Sequence, residues 1–315
     1  MTGRLFLGVD GGGTKTRFAL LDEERRLLAD TTLGTTYHPE VGIEGVREVL
    51  ACGVADVLAR AAIDAGRITH AFFGLPGHGE DSVLTPVLDA MPRSILGHDR
   101  YAVDNDMVCG WAGSLGAEDG INIVAGTGSI GYGQRRGRAA RAGGWGEAFS
   151  DEGSAYWIAM QGLNVYSRMS DGRLPRGPLH ALINEALQLS QDLDLCARIY
   201  GDNARTRGEM AQLSTLVTKA AEAGDAAARD IFARAAIELA QIAEALRRRL
   251  EFAPGETVRI SYSGGAFGAG ELLLTPLREA LRKQDPAFAL CRPLHEPHVG
   301  AALYAARLWE SSASA

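Results

Sequence analysis

Three times in this chain an apolar run ends abruptly in a cluster of glycines, and this repeat limits the possible folds more than any other feature. The first, residues 6–17, reads Phe-Leu-Gly-Val-Asp-Gly-Gly-Gly-Thr-Lys-Thr-Arg, and the second, residues 121–133, reads Ile-Asn-Ile-Val-Ala-Gly-Thr-Gly-Ser-Ile-Gly-Tyr-Gly. The third runs from Val258 to Tyr262 and enters Ser-Gly-Gly-Ala-Phe-Gly-Ala-Gly. Short apolar runs closed by glycine are core strands rather than helices. Successive glycines let backbone amides approach an anion, and neighbouring hydroxyls add donors, so each turn is a candidate phosphate cradle. Two common nucleotide signatures fit badly. Thr14 separates Gly13 from Lys15, which rules out a Walker A loop, and Thr16 stands where the dinucleotide fingerprint needs its third glycine. Gly126-x-Gly128-x-x-Gly131 has the dinucleotide spacing, but a helix must follow it, and the stretch up to Gly144 has no helical period. Strand, tight turn, strand is the expectation there.

A chain of 315 residues exceeds what one hydrophobic core comfortably fills, so two domains are expected. With 46% hydrophobic and 23% charged residues and a net charge of −7, it is an ordinary globular protein without the basic footprint of a nucleic-acid binder. The run Arg247-Arg248-Arg249 closes a long helical pattern, where cations suit the helix dipole. No apolar stretch approaches the ~20 residues of a membrane helix and no signal-like segment opens the chain, so a cytoplasmic location is expected. Cys52, Cys109, Cys196 and Cys291 have no paired spacing, which argues against a disulfide framework or structural zinc.

After the first strand, residues 16–21 and 27–32 flank a charged segment and predict a three-stranded antiparallel start. Helical spacing follows at about 41–65, then strands at 71–73 and 101–103, the latter leading into Asp104-Asn105-Asp106. The first domain is expected over 1–116 and the second over 117–297, with a final helix at about 298–312 able to return to the first. In the second domain the periodicity predicts helices at roughly 153–169, 178–200, 209–223 and 226–252, and a strand at 287–290. Two duplicated domains, each presenting a phosphate turn to a common cleft, could hold a nucleotide triphosphate.

This arrangement resembles the sugar kinase, actin and heat-shock protein ATPase superfamily. Gly143-Gly144-Trp145-Gly146 followed by Ser150-Asp151-Glu152-Gly153-Ser154-Ala155-Tyr156-Trp157 is similar to the N-acetylglucosamine kinase branch of the BadF/BadG/BcrA/BcrD-type ATPases. The resemblance extends over essentially the whole chain, in order, and implies an α/β protein of two actin-like (ribonuclease H-like) domains with a central ATP and sugar cleft. It implies ATP and Mg²⁺ as cofactors and transfer of the γ-phosphoryl to the 6-hydroxyl of N-acetylglucosamine. Glucosamine or another hexose is the alternative acceptor, and an iron–sulfur ATPase activator is a remoter reading, since such clusters need thiolate ligands. A homodimer is a family-level expectation, and neither nucleic acid, membrane nor an added DNA-binding segment ahead of Asp10 is expected.

By the same resemblance, Asp10 would hold Mg²⁺, Gly12, Gly13 and Thr14 would meet the β- and γ-phosphates, and Lys15 would steady the transferring group or remain solvated. Thr127 and Gly128 would bind from the second domain, with Gly264, Gly265 and Ala266 near the base or ribose. Asp106 is the expected general base, with Asp104 as its rival, although any of Asp104, Asn105 and Asp106 could instead cap a helix. Asp151 would bind sugar hydroxyls, with Gly144 and Trp145 shaping the pocket; otherwise Asp151 caps a helix and Trp145 is a packing residue. Thr127 would also meet the sugar. Where relatives commonly carry an asparagine, this chain reads Thr35-Thr36-Tyr37-His38-Pro39, so Tyr37 or His38 takes its place, or that contact is missing.

Overall fold

The computed structural model describes residues 3–201 and 205–313, and it divides into two compact units, 1–119 with 292–315 and 120–291. These limits fall a few residues from the boundaries expected at 116 and 297.

In the first unit, β1 (Phe6–Asp10), β2 (Thr16–Leu21) and β3 (Leu27–Leu33) form an antiparallel meander. Helix α1 (His38–Ala61), broken at Gly42, crosses to β4 (His70–Leu75), and α2 (Thr85–Leu96) crosses to β5 (Tyr101–Asn105), which leads into α3 (Met107–Leu115). Both β4 and β5 run parallel to β1, giving the order β3-β2-β1-β4-β5. Alternation decides the faces. Leu7 and Val9 of β1 pack with Leu50, Val54 and Val57 of α1 in one core, whereas Phe6 and Gly8 point to the opposite face. Helix α2 was not expected. Its Pro86 and Pro92 break the sequence signal, yet Pro86 sits in the first turn, where a missing N–H costs nothing.

The second unit repeats the plan. Strands β6 (Gly120–Ala125), β7 (Ser129–Arg135) and β8 (Arg138–Gly143) form a second meander. Among the described residues six helices then intervene: α4 (Ala155–Ser170), α5 (Pro178–Leu187), α6 (Asp194–Tyr200), α7 (Arg207–Gln212), α8 (Ser214–Glu222) and α9 (Ala226–Arg249). Strand β9 (Val258–Ser263), a 3-10 turn at Gly265–Ala269, α10 (Glu271–Gln284) and β10 (Phe288–Leu290) complete the unit. Its order, β8-β7-β6-β9-β10 with β9 parallel to β6, matches that of the first sheet strand for strand. The apolar stripe of α9, from Ala228 through Phe232, Leu239 and Leu246, belongs to the same buried cluster as Ile121, Ile123 and Ile260 of the sheet.

The expected helix over 178–200 is two helices, because Gln188 turns left-handed and the Asp194 carboxylate accepts the N–H groups of Ser190 and Gln191, which fixes the turn between α5 and α6. The expected helix over 209–223 likewise splits at Leu213 and begins earlier, at a capping box made by Thr206 and Glu209. Asp225 starts α9 by accepting from Ala227 and Ala228, and its other oxygen takes the Leu179 N–H of α5 at 3.0 Å. Asp225→Ala removes a cap and leaves a buried N–H unpaired, so a loss of about 1–3 kcal/mol is expected in urea unfolding. Asp225→Asn, which keeps an acceptor oxygen, should recover part of it.

The last helix, α11 (Pro297–Ala313), belongs to the first unit, where it covers the second face of the sheet. Ala301, Ala302, Ala305 and Ala306 are fully buried, small side chains that allow close approach to β1 and α3. Among the described residues no helix is long and apolar enough to cross a membrane.

Candidate functional site

The parallel register of the first unit places Asp10, Gly74 and Asp104 in one row at the ends of β1, β4 and β5. Gly74 is where the next helix comes in. A Cβ there would lie 2.2 Å from Cys109 Sγ and 3.2 Å from the Cα of Asp106, so only glycine lets the first turn of α3 settle on the strand. The Cys109 thiol donates to the Val9 carbonyl at 3.5 Å, which fixes that turn over β1. Asp106 and Asp10 are thereby neighbours.

Capping at α3 falls to the residue before Asp106. The Asn105 Oδ1 accepts the Met107 N–H at 3.2 Å, its amide donates to the His78 carbonyl at 3.1 Å, and Asp104 Oδ1 accepts the Asn105 N–H at 2.7 Å. Asp106 stands at the N-cap position with helical dihedrals and makes no side-chain cap. Burial lifts its carboxyl to about 6, the Glu80 charge adds to the rise, and the backbone N–H groups of Met107 and Asp106 oppose it. Burial lifts Asp10 further, to about 8; the nearby Asp106 adds to the effect, and Arg17 works against it. Asp104, the rival base, is half exposed and lies 3.8 Å from His78 Nδ1.

The first glycine turn leaves β1 by Gly11, whose N–H donates to the Gly74 carbonyl at 2.8 Å. Thr35 Oγ1 donates to the Gly12 carbonyl at 2.8 Å and Thr16 Oγ1 meets Thr36 Oγ1 at 3.1 Å, so the segment 35–36 braces the turn from behind. Gly13, Thr14 and Lys15 remain exposed at its tip. Tyr37 occupies the N-cap position of α1 and is exposed, while His38 lies against Gly77 with its Nδ1 buried and without a partner among the described residues.

In the second unit the turn Gly126-Thr127-Gly128 joins the paired residues Ala125 and Ser129, with Thr127 exposed. Ser129 faces inward and donates to the Glu152 carbonyl at 2.7 Å, and the Ala155 N–H donates to the Gly126 carbonyl at 2.8 Å. The glycine turn and the segment 151–155 are therefore one bonded assembly. Gly264 abuts the same turn at Ala125 and Gly126; Gly264 and Gly265 are exposed, whereas Ala266 turns its side chain into the core, leaving only its backbone for a ligand.

The cap of α4 is Ser154, which accepts the Trp157 N–H at 3.1 Å. Asp151 is consequently not the cap; it is only 2% exposed, in a left-handed conformation at φ 63°. Trp145 follows Gly144 and is 71% exposed, so it is not a core residue. Sequence reasoning missed Arg207, which pairs with Asp151 and lies 3.0 Å from Glu147 Oε2. The Thr206-x-x-Glu209 pattern marks the start of its helix but says nothing of its partner.

Residues 7–305 match the BadF/BadG/BcrA/BcrD ATPase family. The chain is 28% identical to an N-acetyl-D-glucosamine kinase of Dictyostelium discoideum over 97% of its length and 98% of the relative's. It is also 28% identical to an N-acetylmuramic acid/N-acetylglucosamine kinase of Clostridium acetobutylicum, over 95% and 97% of the two chains. A crystal structure from Chromobacterium violaceum, provisionally named an N-acetylglucosamine kinase, superposes with a TM-score of 0.74 at 24% identity, covering 97% of this chain and all of that one. That likeness is one of fold, and the duplicated actin-like α/β architecture expected from the sequence is the one the chain adopts. With the match spanning both units, the chain belongs to the BadF/BadG/BcrA/BcrD ATPase family.

Proposed function

We propose that this protein is an ATP- and Mg²⁺-dependent kinase that phosphorylates the 6-hydroxyl of N-acetylglucosamine. The observation that carries the reading is the division of labour at two helix starts: Asn105 and Ser154 do the capping, and Asp106, beside the first, and Asp151, three residues before the second, are not caps. The family and the two named relatives support ATP as the donor and an amino sugar as the acceptor.

In the first unit, the 6-hydroxyl oxygen attacks the γ-phosphorus while Asp106 accepts the hydroxyl proton; the bond from that phosphorus to the β-phosphate bridging oxygen breaks and ADP leaves. The backbone amides of partly buried Gly12 and exposed Gly13 and the Thr14 hydroxyl meet the phosphates, with Lys15 adding positive charge at the turn tip. His38 Nδ1, buried and without a partner, is the polar group available where relatives carry asparagine. In the second unit, Thr127 and Gly128 bind phosphate, and Gly264, Gly265 and the Ala266 backbone approach the nucleoside. Asp151 accepts from sugar hydroxyls, with Gly144 and Trp145 shaping the pocket.

The described residues contain no cluster of three His, Cys, Asp or Glu groups that would hold a metal unaided. A magnesium ion carried with the nucleotide needs only one or two carboxylates besides phosphate and water. Asp10 fits that demand, since it ends β1 partly buried beside the second carboxylate, Asp106. The ion, when bound, neutralises phosphate charge.

A coupled ADP-release assay with N-acetylglucosamine, N-acetylmuramic acid, glucosamine, N-acetylmannosamine and glucose tests the reading. N-acetylglucosamine should give the highest kcat/KM. Absence of turnover with every sugar would reject the proposal, and preference for glucose or glucosamine would reject the assigned acceptor.

A further inference from the structure

The ion pair between Arg207 and Asp151 engages a residue assigned to the sugar, and the roles given above leave it unused. Arg207 opens α7, 56 residues after its partner. Its guanidinium is forked: Nη2 bonds Asp151 Oδ2 and Nε lies 3.0 Å from Glu147 Oε2. One planar group thus holds this stretch of chain at two points, Glu147 and Asp151. The grip also reaches the second glycine turn. A Cβ on Gly128 would stand 2.6 Å from Arg207 Nη2 and 2.7 Å from Asp151 Oδ2, so glycine at 128 is what admits the pair beside the turn.

Asp151 needs such a hold. Its left-handed backbone is a conformation that non-glycine residues keep only when surroundings enforce it. Its side chain is almost fully buried, whereas that of Arg207 is 42% exposed, so the ion pair holds the Asp151 carboxylate through Oδ2. The capping box of Thr206 and Glu209 in turn fixes where Arg207 begins, with Glu209 Oε2 accepting the Thr206 N–H at 2.8 Å. Helix α7, which lies between α6 and α8 in the helical insertion of the second unit, reaches the Asp151 carboxylate through this side chain.

We propose that Arg207 is a positioning residue for sugar specificity: its forked guanidinium holds the Asp151 carboxylate and the 144–151 segment in the geometry that binds the acceptor. The inference rests on the sugar-kinase reading for its substrate, but the positioning itself is independent of that reading. Lysine is a poor replacement, since a point charge cannot hold two carboxylates in a fixed plane.

The test combines steady-state kinetics on the full chain with amide hydrogen exchange over residues 144–151, for wild type, Arg207→Gln, Arg207→Lys and Glu147→Gln. Arg173→Gln, at a surface pair with Asp171, is the control. For Arg207→Gln we expect KM for N-acetylglucosamine to rise about tenfold or more while KM for ATP stays within about twofold, with faster exchange in 144–151; about tenfold corresponds to the loss of one charge-assisted contact. Arg207→Lys and Glu147→Gln should fall between it and wild type, and these two carry the test should Arg207→Gln fail to fold. An unchanged sugar KM, or a loss that falls on ATP instead, overturns the proposal. If wild type phosphorylates no sugar, the kinase reading fails, and exchange in 144–151 decides the positioning claim by itself: protection equal to wild type in all three variants overturns it.

Discussion

Asp106→Asn is expected to lower kcat by about 10²–10⁴-fold, the range that removal of a general base commonly spans, with KM for ATP little changed. The substitution keeps the shape and removes the proton acceptor. Folding should not suffer. Asn105, not Asp106, caps α3, and a carboxyl whose pKa is raised by burial is one that the fold holds at a cost in its charged form. The sign follows directly: a carboxyl at about 6 in the folded chain and near 4 when unfolded makes the native state more stable below that interval and less stable above it. The neutral amide escapes this penalty, so thermal unfolding near neutral pH should show a melting temperature equal to or above that of wild type. The wild-type pH profile has the opposite slope, because the base must be deprotonated. The rate should fall about tenfold per pH unit below about 6 and level off above it. A profile without that limb, or an Asp106→Asn enzyme with more than a tenth of wild-type kcat, removes Asp106 from its role. Asp104→Asn is the companion measurement; with its carboxylate half exposed and facing His78, it should retain most activity.

The two carboxylates show where the sequence stops being informative. Asp-Asn-Asp at 104–106 and Ser-Asp-Glu-Gly-Ser at 150–154 are good helix-start sequences, and any of their polar residues could have been the cap. Choosing between cap and catalyst needs the direction of each side chain, which local propensity does not supply. The duplicated strand-and-turn plan was easier to read. A meander followed by crossover helices leaves few ways to build a sheet, and the glycine turn after β1 and after β6 shows that the unit is used twice. Helix α2 escaped because prolines hide its period, and the break between α5 and α6 escaped because Asp194, which bonds the turn ahead of α6, is indistinguishable in sequence from one more polar residue on an exposed helix face. Arg207 was out of reach for a different reason. Its partner lies 56 positions earlier, in a segment with no regular structure, and no periodic pattern connects the two.

The third glycine turn carries the other large effect. Gly264 has φ 102° and ψ 160°, a region that is essentially closed to residues with a Cβ. A Cβ there would also lie 2.5 Å from the Ala125 carbonyl carbon and 2.7 Å from the Gly126 nitrogen, where only backbone could yield. Gly264→Val therefore combines about 1–3 kcal/mol of backbone strain with about 1–3 kcal/mol of overpacking. The damage cannot stay local. Gly126 accepts the Ala155 N–H and precedes Thr127, so pushing the strand end away displaces the second turn as well. The expected result is a marked fall in melting temperature together with a rise in KM for ATP of at least about tenfold. Gly265→Ala separates the two causes: its Cβ meets nothing within 4 Å, so the melting temperature should hold while KM for ATP rises only through contact with the nucleotide. If Gly264→Val unfolds and binds ATP as wild type does, the close contact between the third and second turns has no part in nucleotide binding, and the repeated glycine clusters of this chain are strand endings and nothing more.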